Sequence, residues 1–322
     1  MRVLVTGAAG HIGNNVVRAL IQSPWSPVAM VRQDSRALTG LDVETRKGDV
    51  LDRESLKRCL EGIDAVIHTA AFVGLKRSEE DVMMRINLEG TRVLLEEASA
   101  AGVKRFIHFS SVHALKQEPL DTPLSEKYPL ALGQEDHPYD RSKARAEQVV
   151  LEWPGSMTTV VLNPTAVLGP NDYKPSRLGQ VIAQLAEGRI PALVRSGFDF
   201  VDVRDVASTT CRVLDGSCSG QRYLLAGAWN SFETLAACVH EAGGNKPPRM
   251  YVPMWLARFG APFAEFGAML MRKTPMFSRG AIHMLVCQNP RVSSEKAKAT
   301  YEHQPRPLKE TVQDTLQWWR EK

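Results

Sequence analysis

Arg2-Val3-Leu4-Val5-Thr6-Gly7-Ala8-Ala9-Gly10-His11-Ile12-Gly13 is the stretch whose reading decides the fold. Residues 2–6 form an apolar run of strand length, and Asn14 to Ile21 carries apolar residues at helical spacing. Between them lie three glycines spaced G-x-x-G-x-x-G. A strand that breaks into a glycine-rich turn and opens a helix is a phosphate-binding device. The glycines let the backbone turn tightly and approach an anion, while the helix N-terminus offers free N–H groups and the positive end of its dipole. The spacing departs from the G-x-G-x-x-G fingerprint. Steric demand alone also places glycine in such turns, so the remaining residues have to decide.

The 322 residues suffice for one large or two moderate domains with a sizeable core. A charged fraction of 24% and an apolar fraction of 43% are those of an ordinary soluble globular protein. The net charge of +4 comes without any lysine or arginine block, which argues against a nucleic-acid groove and suits anionic small molecules. Cys59, Cys211, Cys218, Cys238 and Cys287 are scattered without C-x-x-C spacing, so reduced thiols are expected, with neither a disulfide framework nor a metal site. The chain opens in a strand, so no signal peptide is expected. Trp255 to Met271, the most apolar late stretch, contains Arg258 and Glu265 and is too short and too polar to span a bilayer. It reads as an amphipathic helix pair near a pocket. A cytoplasmic protein without an integral membrane segment is the expectation.

Strand and helix patterns alternate through the first half. Pro27 to Val31 is a second strand, and Glu44 to Val50 contains a short third. Arg53 to Leu60 reads as a helix with Asp52 as its cap and Gly62 beyond its end. Ala65 to His68 is a buried strand, Glu79 to Ala101 a long helix ended by Gly102, and Phe106 to Phe109 a strand running into Ser110-Ser111. Tyr139 to Trp153 is a helix stopped by Pro154, followed by the strand Thr158 to Leu162 and then Asn163-Pro164. Such alternation predicts a parallel sheet covered on both faces, with ligands at the carboxyl ends of its strands. Gly7, Arg32, Asp49, His68, Ser111 and Asn163 lie at those ends and are expected to converge on one edge. Beyond Pro164 the alternation thins: Arg177 to Glu187 is helical, and Phe198 to Val203 and Arg222 to Leu225 are short strands. After Trp229 the pattern is helical and rich in Pro, Met and Trp.

The chemistry sits in Tyr139-Asp140-Arg141-Ser142-Lys143. On a helix, Tyr139 and Lys143 share a face one turn apart. A free phenol has a pKa near ~10, too high for efficient proton exchange at neutral pH. A nearby ammonium stabilises the phenolate and is expected to lower that value. Ser111, at a strand end upstream, can donate a hydrogen bond to a substrate oxygen. Asn87 on the long helix can hold that helix and a water behind the lysine.

Taken in order, Thr6 to Gly13, Gly48-Asp49-Val50, His68-Thr69-Ala70-Ala71, Asn87 to Thr91, Ser110-Ser111, Tyr139 to Lys143 and Asn163-Pro164 resemble the motifs of the extended short-chain dehydrogenases/reductases. The resemblance continues through Gly169-Pro170 and Asp202 to Val206, and covers about the first two thirds of the chain. It implies a Rossmann-type, doubly wound α/β fold with a smaller, mainly helical C-terminal lobe. Residues 1–165 would be the cofactor domain, rejoined by a strand near 222–226, and residues 166–322 the substrate lobe. It further implies that Gly7, Gly10 and Gly13, with His11 and Ile12, form the pyrophosphate turn. Asp49 and Val50 would contact the adenine, and Thr69, Ala70 and Ala71 the middle of the cofactor. Pro164 to Val167 would border the nicotinamide. Ser111, Tyr139 and Lys143 would be the catalytic triad, with Asn87 in support and Lys143 also on the nicotinamide ribose. A homodimer paired through the two long helices is the family expectation.

Cofactor choice can be argued from charge. Dinucleotide folds that take NAD place Asp or Glu at the end of the second strand, to bind ribose hydroxyls. Here that position holds Arg32, with Ser35 and Arg36 close by and Asp34 as the one conflicting residue. A guanidinium suits a 2′-phosphate through charge-assisted, bidentate bonds, so NADP(H) is expected ahead of NAD(H).

Three activities fit such a set: reduction of a carbonyl, a nucleotide-sugar epimerase or dehydratase reaction, and non-catalytic sensing of NADP(H). The presence of Ser111, Tyr139 and Lys143 together disfavours the third. For the second, similar sugar-nucleotide enzymes place arginines where this chain has Phe198 and Leu162, which leaves a diphosphate without its bidentate partners. Tyr251, Trp255, Phe259, Phe263 and Phe266, with several methionines, offer an apolar lobe instead. The pattern looks most like the dihydroflavonol reductase and hydroxysteroid dehydrogenase branch. The expected activity is NADP-dependent reduction of an apolar or aromatic ketone or aldehyde, with Tyr139 as general acid/base.

Overall fold

The computed structural model describes residues 1–74, 76–257, 259, 285 and 288–322. The strands of the first half are β1 (Arg2–Thr6), β2 (Ser26–Val31), β3 (Glu44–Lys47), β4 (Ala65–His68), β5 (Arg105–Phe109) and β6 (Thr158–Pro164). The second half adds β7 (Ala166–Leu168), β8 (Ala192–Val194), β9 (Gly197–Asp202), β10 (Gln221–Leu225), β11 (Ala228–Ser231) and β12 (Met250–Val252). Seven of them form one parallel sheet in the order β10-β6-β5-β4-β1-β2-β3. The winding reverses between β1 and β4, and that switch point opens the crevice where such sheets bind ligands.

Helices cover both faces. They are α1 (His11–Ile21), α2 (Arg53–Leu60), α3 over 80–100, α4 (Pro138–Leu151), α5 (Arg177–Ala186), α6 (Val203–Asp215), α7 (Phe232–Glu241), α8 (Glu295–Tyr301) and α9 (Leu308–Glu321). The inner strands are apolar on both sides, as strands sandwiched between helices must be. On one face Val16, Val17 and Leu20 of α1 pack with Val206 and Val213 of α6. On the other, Leu56 and Leu60 of α2 pack with Leu94 and Leu95 of α3 and with Phe106. Asp52 caps α2 through the backbone N–H groups of Glu54 and Ser55, and Gly62 takes a left-handed φ of 66° just beyond it.

Residues after Pro164 do two jobs. Helix α6 packs on α1, β10 joins the central sheet beside β6, and α8 packs on β10. The rest forms a lobe in which α5, α7 and α9 share a separate core with Leu168, Ile182, Phe200, Phe232, Leu235 and Val312. Two small sheets, β11-β9-β7 and β12-β8, link its helices. The strand expected to end at Val203 ends instead at Asp202, whose carboxylate caps α6 by accepting from Arg204 N. The helix expected over Glu79 to Ala101 is interrupted by a π-helical stretch, Met84–Glu89, between α-helical Glu80–Met83 and Gly90–Ala100. The helix pair expected from Trp255 to Met271, with Phe263 and Phe266, falls mostly outside the described residues. Of its aromatics, Trp255 and Phe259 are exposed.

Candidate active site

The turn after β1 is built on contact. Gly7 has a φ of 69°, which disfavours any residue with a Cβ. A Cβ there would lie 2.7 Å from the Ala70 nitrogen, and one at Gly13 would lie inside the Gly7 carbonyl oxygen and 2.7 Å from Thr69 Oγ1. Thr69 Oγ1 donates to Thr6 O at 2.7 Å, so the β4 end is pressed against the turn. Gly10 N–H closes the turn onto Gly7 O at 2.8 Å. Gly10 is also the N-cap of α1, with no side chain bonding the first N–H groups and no acidic residue in the first turn. These N–H groups point out of a backbone cradle with no Cβ in the way, which fits a pyrophosphate. The fold places Ile12 beside this cradle, packed on the core. His11 was expected only beside the pyrophosphate. Its Nε2 lies 3.1 Å from both the Gly169 and Pro170 carbonyls, tying the turn to the loop after β7.

At the other end of the crevice, a cleft of about 840 Å³ lies past β2 and β3, lined by Arg32, Gln33, Lys47, Asp49, Ser55 and Arg58 among others. The Arg32 guanidinium is 4.0 Å from Asp49 and its side chain is 69% exposed, so it is available to an incoming anion. Arg36 is not available in the same way. Its guanidinium is held by both carboxylate oxygens of Asp34 at 3.0 and 2.8 Å. That pairing also resolves the conflict expected from Asp34, whose charge is spent on its neighbour. Val50 is buried against Gly90 of α3, close beneath Asp49.

The reacting constellation lies between these ends. Ser111 follows β5 with an extended backbone, and its Oγ accepts from His113 N at 3.2 Å. Pro138 starts α4, with the His137 ring accepting from Tyr139 N. The Tyr139 phenol lies near enough to the Ser111 hydroxyl for Ser111 to favour its ionised form. Lys143, one turn on, is buried and donates from Nζ to the Phe109 carbonyl at 2.5 Å. Burial pushes the Tyr139 phenol up to about 12, Asp140 adds to that rise, and Ser111 opposes it. The lowered phenol pKa expected from the Tyr139/Lys143 spacing is therefore not found here: desolvation raises it, and the ammonium is turned toward Phe109. Burial pulls Lys143 down to about 8, with the Glu147 carboxylate opposing.

Asn87 sits in the π-helical stretch, where widened turns are common at functional sites. Thr91 Oγ1 donates to the Asn87 carbonyl at 2.6 Å and so competes for that backbone acceptor. The Asn87 side chain holds its helix to two neighbouring segments. Its amide brackets Phe72, accepting from Phe72 N at 2.8 Å and donating to Phe72 O at 3.0 Å. It also donates to Ser142 Oγ at 2.9 Å, which in turn donates to Tyr139 O at 2.8 Å. Asn87 thus ties the loop containing Ala70 and Ala71 to the helix of Tyr139. Pro164 and Val167 lie at the end of β6 and in β7, beyond Ser111 and next to Asn163.

His68, expected at the sheet edge, bridges Thr6 Oγ1 at 2.7 Å and Thr91 Oγ1 at 3.0 Å, and burial pulls its ring down to about 3. Three further residues at the site, His108, Glu147 and Arg222, were not singled out from the sequence. His108 lies beside His68, ring centroids 5.3 Å apart, and is likewise held neutral by burial. Glu147, fully buried, forms an ion pair at 2.9 Å with the partly buried Arg222 behind Lys143. The signal for Glu147 was present, since it repeats the four-residue step from Tyr139 to Lys143.

The model of the family described as NAD dependent epimerase/dehydratase matches residues 3–226. Sterol demethylase protein B of Methylococcus capsulatus is 33% identical over all of this chain and 99% of its own. A ketoreductase of Stigmatella aurantiaca, named for 4-hydroxy-2-methyl-3-oxo-4-farnesyl-3,4-dihydroquinoline-1-oxide, is 28% identical over 82% of this chain and 80% of its own. The crystal structure of a protein called gox2253 superposes with a TM-score of 0.85 at 33% identity, covering 99% of this chain and 98% of that one. With the glycine cradle, the seven-stranded sheet and the Ser111/Tyr139/Lys143 cluster in place, the chain belongs to the NAD dependent epimerase/dehydratase family of extended short-chain dehydrogenases/reductases and is an NAD(P)-dependent oxidoreductase.

Proposed function

We propose that the protein reduces an apolar or aromatic ketone or aldehyde to the alcohol and uses NADPH to do so. The observation that carries this reading is that Ser111 at the end of β5, Tyr139 at the start of α4 and the buried Lys143 one turn on, bonded to the last carbonyl of β5, are brought to one place. Two O–H donors aimed at one point can hold a carbonyl oxygen from two sides and stabilise the charge that develops there. The bound nicotinamide supplies the hydride. Ser111 orients the oxygen, and Tyr139 delivers the proton to it. Burial keeps the phenol protonated, so in the reductive direction it holds the proton to be given to the oxygen. Residues 1–165 would hold the dinucleotide and residues 166–322 would select the substrate.

The apolar character of that substrate has two supports. Phe198, where an arginine would serve a sugar diphosphate, packs edge-on against Phe200 and Phe232. Two relatives also carry names that refer to a sterol and to a farnesylated ketone. The test is a panel of aromatic ketones, steroids and nucleotide sugars, each followed by loss of NADPH absorbance. Turnover confined to the nucleotide sugars would replace this reading with the epimerase/dehydratase one.

Two further results are expected. Arg32→Ala should weaken NADPH by roughly tenfold or more, because a charge-assisted bond to the 2′-phosphate is lost, and should leave NADH nearly unchanged. Arg36→Ala should do little, since its guanidinium is already engaged by Asp34. Isothermal titration of the three proteins with both cofactors decides it, and equal losses for NADPH and NADH in Arg32→Ala would remove the 2′-phosphate assignment. The second result concerns pH. Lys143 keeps its proton below about 8 and loses it above, so the ammonium beside Tyr139 disappears as pH rises. The kcat/KM for reduction should therefore fall through pH 8, and a profile flat to pH 9.5 would contradict the role given to Lys143.

A further inference from the structure

We propose that Arg222, Glu147 and Asn163 are positioning residues, a buried chain of polar contacts that fixes the Ser111 backbone and keeps a carboxylate one helical turn from the Lys143 ammonium. The proposal rests on the reading of Ser111, Tyr139 and Lys143 as the reacting groups, and adds to it three residues that do not reach the substrate. Glu147 is fully buried on α4, four residues past Lys143, so the two side chains share a helix face. Its Oε2 accepts from Asn163 Nδ2 at 2.7 Å, and its Oε1 lies 2.9 Å from Arg222 Nε. The same Asn163 Nδ2 donates to the Ser111 carbonyl at 3.0 Å. One amide therefore joins the carboxylate to the backbone of the residue that would orient the substrate oxygen.

Each link comes from a different element of the fold. Arg222 stands on β10, Asn163 on β6 and Glu147 on α4, while Ser111 follows β5. The seventh strand, made by residues after the lobe has begun, is thereby wired to the reacting centre. The groups facing Lys143 are Glu147 and Tyr139 on its own helix, His68 on β4 and His108 on β5; those facing Glu147 are Lys143 and Arg222. Burial keeps both histidines neutral, so the carboxylate of Glu147 is the group that holds the proton on Lys143 against desolvation. Arg222 in turn opposes the rise that burial imposes on Glu147. Removing one member of a buried ion pair leaves the other uncompensated.

The test reads Lys143 directly. In protein labelled at lysine Cε, its resonance is assigned by its absence from Lys143→Met and followed against pH. Glu147→Gln should lower the Lys143 midpoint by about one pH unit, a tenfold change in acidity. Glu147→Asp, which keeps the charge, should restore part of it. Should Glu147→Gln not fold, Glu147→Gln/Arg222→Gln, which leaves no unpaired buried charge, carries the same expectation of a lowered midpoint. A midpoint unchanged in folded Glu147→Gln or in the double variant overturns the proposal. Asn163→Ala should lower kcat for the best ketone of the panel roughly tenfold to a hundredfold with KM retained, because Ser111 is misplaced. A kcat equal to that of the parent would overturn the Asn163 link. If no carbonyl is turned over at all, the functional reading falls while the Lys143 midpoint still decides whether the carboxylate acts on the lysine.

Discussion

Tyr139→Phe is expected to lower the rate of carbonyl reduction by roughly 10²–10⁴-fold, the usual worth of a positioned general acid. The affinity for NADPH should stay near that of the parent. The substitution deletes one oxygen from a buried ring and leaves other features of α4 in place: the His137 cap, the Ser142 bond to the Tyr139 carbonyl and the Lys143 bond to Phe109. Among the described residues, the interaction it removes is that of the phenol with Ser111. Stopped-flow turnover and a separate binding titration distinguish the outcomes. Loss of rate with retained binding assigns the proton to Tyr139. Activity within a few-fold of the parent would mean that another group supplies it, and the reaction scheme would have to be redrawn. Ser111→Ala should fall less far, because Tyr139 can still donate to an oxygen that is now held from one side only.

The succession of strands and helices along the chain and the shared helix face of Tyr139 and Lys143 were legible because they depend on local pattern. Ala65-Val66-Ile67-His68 could only be a doubly buried strand, and Asp52 and Gly62 mark the two ends of α2 in the places where the structure finds them. Tyr139 and Lys143 were legible for the same reason, since a four-residue step on a helix fixes their relative placement. What escaped depends on contacts between segments distant in sequence. Nothing near Asn87 announces the π-helical stretch, which goes with Thr91 donating back to the Asn87 carbonyl while also meeting His68 from the neighbouring strand. Arg222 is separated from Glu147 by 75 positions, and no local rule pairs them.

The phenol of Tyr139 teaches the same lesson in electrostatic terms. Spacing places an ammonium one turn away and so predicts a lowered pKa. The tertiary fold decides how deeply the ring is buried and where the ammonium points: burial raises the value, and the ammonium, bonded to Phe109, does not offset it. A charge reckoned from helix spacing alone omits desolvation, which is the largest contribution at every buried group of this site.

The opening turn supports the second large prediction, because its three glycines are not equivalent. A Cβ at Gly10 meets only the Gly7 carbonyl oxygen, at 3.1 Å, and a small adjustment relieves it. A Cβ at Gly13 collides with the Gly7 carbonyl itself and with Thr69 Oγ1, both held by hydrogen bonds to their own neighbours. Gly13→Ala can be accommodated only by opening the turn and moving the first N–H groups of α1 away from the phosphate position. Inserting a methyl group into so tight a contact costs about 1–3 kcal/mol in stability. The larger effect should be on the cofactor, with affinity lowered roughly a hundredfold as the anion loses charge-assisted bonds to the helix N-terminus. Gly10→Ala should keep most of that affinity. Fluorescence titration with NADPH, alongside thermal unfolding, separates the two effects. Equal affinity in Gly13→Ala and Gly10→Ala would mean that the turn serves packing between β1, α1 and β4 rather than the phosphate, and the steric reading of these glycines would then stand in place of the binding one.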